Sequence, residues 1–179
     1  MKKLAAAVIV SMGIASFGVQ ADQGSGKVTF YGSIIDAPCS IHPESTDMKV
    51  PLGQISSSLL DGGGTSTPRA FDIELENCAF ELDANGQPKF NTVKVIFAGG
   101  NVPGNMSMLA INGQAAGAGV RIQDYSGQLV TLLQPTSGRG LGNGPNTLSF
   151  SAYLEKIASV TNVTPGEFQA VTDFTLAYE

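Results

Sequence analysis

Apolar and polar residues alternate along most of this chain, in short runs punctuated by Gly, Asn, Pro and Ser. A period of two puts every second side chain on one face of an extended segment, so each run predicts a half-buried β-strand. Val28, Phe30, Gly32 and Ile34 form one set, with Lys27, Thr29, Tyr31 and Ser33 opposite. Phe71, Ile73 and Leu75 form another, backed by Asp72, Glu74 and Glu76. Val93, Val95, Ile96 and Phe97 predict a buried strand that stops at Gly99 and Gly100. Residues 120–125 and 129–133 flank Ser126 and Gly127 as the arms of a hairpin. Leu148, Phe150, Tyr153 and Leu154 predict a strand whose alternation shifts once, at a bulge. Phe168, Ala170, Thr172, Phe174, Leu176 and Tyr178 predict one long final strand. Residues 55–60 allow a single helical turn, and the glycine-rich stretches at 62–64, 116–119 and 137–145 read as loops. With no internal repeat and no interdomain linker, the pattern predicts an all-β sandwich.

The first residues break this pattern. Lys2 and Lys3 precede an apolar run over residues 4–19, followed by Gln20 and Ala21, which predicts a signal peptide over residues 1–21 cleaved after Ala21. Removing 21 of 179 residues leaves 158, enough for one domain with a sizeable core. No later apolar stretch approaches the roughly 20 residues of a membrane helix, so no direct membrane insertion is expected after export. Two of the ten basic residues precede the cut and all fifteen acidic ones follow it, so eight basic charges face fifteen acidic ones for a net −7. That balance argues against nucleic acid or an anionic membrane as partner, since both need clustered Lys and Arg. Export also takes Cys39 and Cys78 to an oxidising compartment, where one disulfide closing a loop of about 40 residues is the natural reading and two free thiols the alternative.

Candidate chemistry is sparse. His42 is the single histidine, which excludes a multi-histidine metal site, and no Gly-x-Ser-x-Gly elbow selects a serine for a Ser-His-Asp arrangement. Asp72, Glu74 and Glu76 would stand roughly 7 Å apart on one strand face, a spacing that suits an inverting glycosidase. They read more simply as the solvated face opposite Phe71, Ile73 and Leu75. Neither glycine run is a phosphate loop. No catalytic residue, cofactor or metal is expected. A monomeric secreted carbohydrate-binding β-sandwich remains an alternative, against which stand the absence of Trp and the placement of aromatics on the apolar sets.

Several motifs together resemble the chaperone-usher fimbrial subunits, the pilins of type 1 and P pili. The run from Gly26 through Val28, Phe30, Gly32 and Ile34 to Cys39 is similar to that family's donor extension and first cysteine. Pro51-Leu52-Gly53 and Glu76-Asn77-Cys78 are similar to the surroundings of its second cysteine. Tyr178 is a penultimate aromatic, and Gly166 stands fourteen residues from the end, counting Glu179 as the first. The resemblance spans essentially the whole mature chain.

It implies an immunoglobulin-like β-sandwich that lacks its final strand and is completed by a donated N-terminal strand. Residues 22–35 would be the donor extension and 36–179 the sandwich, with Gly26, Val28, Phe30, Gly32 and Ile34 facing a neighbour's groove. Gly32 would fill a shallow site, Ile34 would dock first, and Gly166 and Tyr178 would form the C-terminal motif. The implied partners are other subunits in a homopolymer, a periplasmic chaperone and an outer-membrane usher. The implied product is a fimbria on the cell surface, reached through the periplasm and supporting adhesion. A single domain with an intact extension and no second binding domain favours the repeating shaft subunit over a minor adaptor or terminator. The competing reading of residues 28–34 is the first edge strand of a self-sufficient sandwich. The C-terminal motif weighs against it, because a strand ending at Tyr178 leaves no chain to form a following one.

Overall fold

A computed structural model describes residues 25–179. The expected signal peptide, 1–21, and residues 22–24 lie outside the described residues. Asp36–Glu179 forms one compact unit, and residues 25–35 belong to another.

The alternating runs become strands: β1 (Ser40–Ile41), β2 (Arg69–Cys78), β3 (Thr92–Gly99), β4 (Asn101–Val102), β5 (Asn105–Ala110), β6 (Asn112–Gly113), β7 (Ala118–Asp124), β8 (Arg139–Gly140), β9 (Gly144–Lys156), β10 (Phe168–Gln169) and β11 (Thr172–Tyr178). A six-stranded sheet runs β1-β2-β9-β7-β5-β4 and a three-stranded one β11-β3-β8, while β10 and β6 form a separate pair. Every pair is antiparallel, the arrangement in which each sheet can turn one face to a core and the other to water.

The core follows from the period of two. Ile73 and Leu75 on β2, Leu148, Phe150, Ala152 and Leu154 on β9, and Val120 and Ile122 on β7 are buried. Val93, Val95 and Phe97 of β3 join them in one cluster. Phe97 meets Phe150 edge-on with ring centroids 5.1 Å apart, and Phe71 stacks on Phe150 at 5.6 Å. Such contacts add about 0.5–1.5 kcal/mol each to area burial. On the far face of β2, Asp72 and Glu74 are exposed and Glu76 half-buried.

Three expectations change. The alternation of β9 does not shift: Ala152 is the inward residue and Tyr153 lies on the opposite face, half-buried. The sequence pattern misleads there because a small inward residue sits beside a large aromatic that faces out. The irregularity falls instead between β2 and β9, between Leu75 and Cys78. The final strand is two strands, because Phe168 and Gln169 pair with Gly113 and Asn112 outside both large sheets, whereas Thr172 to Tyr178 pair with β3. Ala170 and Val171 span the crossing.

The hairpin after β7 forms, but its second arm is not a continuous strand. It is held by bonds from the Asp124 N–H to the Gln128 carbonyl and from the Val130 N–H to the Ile122 carbonyl, both 2.9 Å. The buried Asp124 organises the turn. Its Oδ1 accepts from the Ser126 N–H at 2.9 Å, the Ser126 hydroxyl at 2.7 Å and the Gln128 N–H at 3.0 Å. Burial acts to raise its pKa, but the bonds from Ser126, Ser137 and Gln128 outweigh it and hold the carboxyl below its ordinary value. The helical turn near residue 55 appears as α1 (Ser57–Asp61).

Candidate strand-docking site

β11 lies at the edge of its sheet. One side pairs with β3 throughout, from Thr172 opposite Gly99 to Tyr178 opposite Val93. Among the described residues no strand pairs the other side. Residues of an antiparallel strand direct their N–H and C=O groups alternately to each side, so about half of those on β11 lack a main-chain partner. Phe174, Leu176 and Tyr178 are half-buried and pack on the core. The Tyr178 hydroxyl is buried with no hydrogen-bond partner among the described residues, and burial pushes its pKa up.

A second stretch is in the same condition. After β1 the chain bonds to β2 twice more at Glu74, whose carbonyl accepts from the His42 N–H at 2.9 Å and whose N–H donates to the Ser45 hydroxyl at 3.0 Å, and then departs. Residues 47–55 run without regular secondary structure and make no backbone–backbone hydrogen bond to a described residue. Their side chains nevertheless alternate: Met48, Val50 and Leu52 are half-buried, while Lys49, Pro51 and Gly53 are exposed. Met48, Leu52 and Ile55 pack on the core. An open cleft of about 620 Å³ is lined by residues of this stretch and by Arg69, Ala70 and Phe71. The sequence reading missed this segment as part of the site, although the period of two over Met48, Val50 and Leu52 could have revealed it.

The residues expected to be donated behave differently. Val28, Phe30 and Ile34 are exposed to 74, 91 and 103 %, and no secondary structure forms over residues 25–35. Gly26 and Gly32 have no atom within 4 Å of where a Cβ would stand, and neither takes a positive φ. Among the described residues nothing in the packing calls for glycine at these two positions.

Cys39 and Cys78 are joined in a disulfide and both are buried, which settles the pairing in favour of the bridge. Gly166 lies against the chain that follows β6: a Cβ there would stand 2.6 Å from the Ala115 nitrogen and 2.8 Å from the Gln114 Cβ. The glycine permits the close approach at which Gln114 and Ala115 both donate to the Glu167 carbonyl, at 2.9 and 3.1 Å. His42 serves locally, its Nδ1 accepting from the Glu44 N–H at 3.3 Å. Among the described residues no three potential metal ligands gather, and no helix is long and apolar enough to cross a membrane.

A two-sheet sandwich whose edge strand β11 stands unpaired beside the core among the described residues can be compared with known proteins. The family model described as "Fimbrial protein" matches residues 28–179. This chain is a chaperone-usher fimbrial subunit. The pilin is 44 % identical to the Fimbria A protein of Serratia marcescens over 179 residues, covering 100 % of this chain and 99 % of that one. It is 41 % identical to the Major MR/P fimbria protein of Proteus mirabilis, covering both chains fully. Among solved structures it resembles the P pilus rod subunit PapA with a TM-score of 0.70 at 37 % identity, covering 80 % of the pilin and all of PapA. A chaperone-usher pilus solved to explain rod uncoiling matches with a TM-score of 0.76 at 40 % identity, over 88 % of the pilin and 97 % of that chain. The fold is thus the immunoglobulin-like pilin sandwich lacking its final strand. The pilin is a structural subunit that polymerises with other subunits into fimbriae on the cell surface after passing through the periplasm.

Proposed function

We propose that residues 26–35 of one copy seat against β11 of another as the missing strand, with Gly26, Val28, Phe30, Gly32 and Ile34 facing the groove, and that the product is the repeating rod. The observation that carries this reading is complementary incompleteness. One part of the chain leaves Val28, Phe30 and Ile34 in water, and another leaves a strand edge with half-buried apolar residues unpaired. Burying the three side chains is worth roughly 1.5–3 kcal/mol each, about 5–9 kcal/mol before ordering costs. Each new main-chain hydrogen bond adds about 1 kcal/mol net. Residues 47–55, also without main-chain partners, form the second lip. An antiparallel seat, like every other pair in the molecule, places residue 34 near Thr172 and residue 28 near Tyr178.

Gly32 fits a shallow point of that groove, since its own chain gives no reason for a glycine there. Ile34, nearest the body, docks first. Residues 22–35 then act as the donated extension and Asp36–Glu179 as the receiving sandwich, whose motif includes Gly166 and Tyr178. Before assembly the bare edge is an aggregation hazard. A periplasmic chaperone lending a strand and an outer-membrane usher exchanging it meet that need. The sandwich and the solvated face of β2 have a structural role and carry no proposed catalysis.

The test compares residues 22–179 with residues 35–179 on a denaturing gel without boiling. Heat-sensitive ladders from the longer form alone are expected, whereas folded monomers from both would overturn donation. In the longer form Gly32→Val should cut fibre yield and leave the body folded. Undiminished fibres from that variant would remove Gly32 from the groove.

A further inference from the structure

Thr92 and Glu179 exchange backbone hydrogen bonds at 3.1 and 2.8 Å, so β11 gives the main-chain groups of its odd-numbered residues to β3. Alternation then turns those of Thr172, Phe174, Leu176 and Tyr178 to the open edge. A donated antiparallel strand must bond to these four. The odd residues between them form the pairs without mutual hydrogen bonds, in which opposed side chains stand closest. Registers that keep Val28, Phe30, Gly32 and Ile34 on the core side differ from one another by two residues. The apolar set does not choose among them, because each shift still sets large apolar side chains opposite one another.

The outward faces do choose. β11 turns Asp173, Thr175, Ala177 and Glu179 away from the core, and the extension carries Lys27, Thr29, Tyr31 and Ser33 opposite its apolar set. With Ile34 opposite Thr172, Lys27 falls opposite Glu179 and Ser33 opposite Asp173. A shift of two residues one way sets Lys27 against Ala177 and Tyr31 against Asp173. The same shift the other way sets Thr29 against Glu179. Glu179 has room for a second cation: it is exposed, its Oε1 accepts from the Lys94 Nζ at 2.7 Å, and its Oε2 has no partner among the described residues. Lys27 is exposed and forms no ion pair among the described residues.

We infer that Lys27 of the donating copy pairs with Glu179 of the accepting copy on the outer face of the joint, and that this pair sets the register in which the donated strand seats. The inference rests on the strand donation proposed above. Burial of the apolar set holds the strand in the groove, and Lys27 is a positioning residue that decides where along β11 it comes to rest. Opposite charges directly across a non-hydrogen-bonded pair attract, and the same positions with like charges repel, so one side chain can bias a choice between otherwise similar registers.

The test reads the register with paired cysteines on the outer face of the full chain, in assembled fibres oxidised and then boiled without reductant. Thr29→Cys with Ala177→Cys reports the inferred register. Thr29→Cys with Thr175→Cys, and Tyr31→Cys with Ala177→Cys, report the two shifts. The native cysteines are already bridged and buried. Ladders that survive boiling are expected chiefly from the first pair. Adding Lys27→Glu should lower the ratio of inferred to shifted ladders by about five-fold, whereas Lys27→Arg should preserve it. Equal ladders from all three pairs, or a shifted pair in excess, would overturn the register. A ratio unmoved by Lys27→Glu would overturn the role of Lys27. Heat-sensitive ladders with no boiling-resistant counterpart from any pair would overturn the inference and leave strand donation standing. If the unsubstituted chain gives no heat-sensitive ladder, donation itself fails and the inference falls with it.

Discussion

Gly166 and Ala115 approach so closely that a side-chain carbon on the first would stand 2.6 Å from the backbone nitrogen of the second. The approach ties the chain before β11 to the loop after β6, and it sets the course of the chain into the edge strand. Gly166→Ala should therefore destabilise the subunit by about 1–3 kcal/mol, the usual range for overpacking. Urea unfolding of the purified variant measures this, and an unchanged midpoint would show that the loop yields without cost.

Tyr178 makes a prediction at high pH. Its pKa is raised above the ordinary 10.0 by burial. A raised folded-state value means stability that is fully present below the unfolded value and lost as pH rises through the folded one. Tyr178→Phe should remove that alkaline loss. At neutral pH it should also relieve an unsatisfied buried hydroxyl, a gain on the order of 1 kcal/mol. Thermal unfolding from pH 7 to 11 checks both effects.

Asp124 makes the opposite prediction. Its folded-state pKa lies below 3.8, so its contribution is present above that value and disappears as pH falls through the lowered one. Asp124→Asn should cost about 1–3 kcal/mol at pH 7 by weakening three hydrogen bonds in the hairpin turn. The gap between variant and parent should narrow in acid. A gap independent of pH would mean that the charge is not what matters.

Leu133→Gly should raise the stability of the isolated subunit by removing left-handed strain of about 1–2 kcal/mol, less the entropy that glycine costs in the unfolded chain. Urea unfolding of the purified variant is expected to show the higher midpoint, and a lower one would mean that the left-handed backbone carries no strain.

Replacing Cys39 and Cys78 together by serine should cost roughly 2–4 kcal/mol through the freed loop. Unfolding midpoints with and without reductant, for parent and variant, test it. The reductant should affect the parent alone.

The strands legible in the sequence are those whose neighbours are all large. Phe71, Ile73 and Leu75 on β2 alternate as read, and the buried strand expected at β3 holds Val93, Val95 and Phe97 in the core, with Ile96 half-buried on its other face. Where a small residue faces inward the pattern fails, as at Ala152 beside Tyr153. Two-residue strands such as β6 and β10 exist only because a partner lies opposite, and no local pattern announces that. The division of the last strand at Ala170 and Val171 is hidden for the same reason: alternation continues across the change of partner. At the site, the motif residues Gly166 and Tyr178 were visible, but not what surrounds them. The lip formed by residues 47–55 was obscured by Pro51 and Gly53, which read as turn residues when no partner strand is in view. The left-handed Leu133 is invisible in principle, since its backbone is held by a bond to Phe97, 36 residues earlier.

The disulfide also sets where tension enters the sandwich. Were residues 26–35 pulled, as the proposed donation would require, the load would reach Cys39 before β1, which pairs with β2 through Ser40 with Glu76 and Ile41 with Leu75. Two rungs loaded end-on would unzip one after the other. The bridge from Cys39 to Cys78 diverts the load through a covalent link to the end of β2, a strand flanked on its other side by the thirteen-residue β9. Force is then carried by the long β2–β9 pairing in shear, and a two-residue pairing is spared.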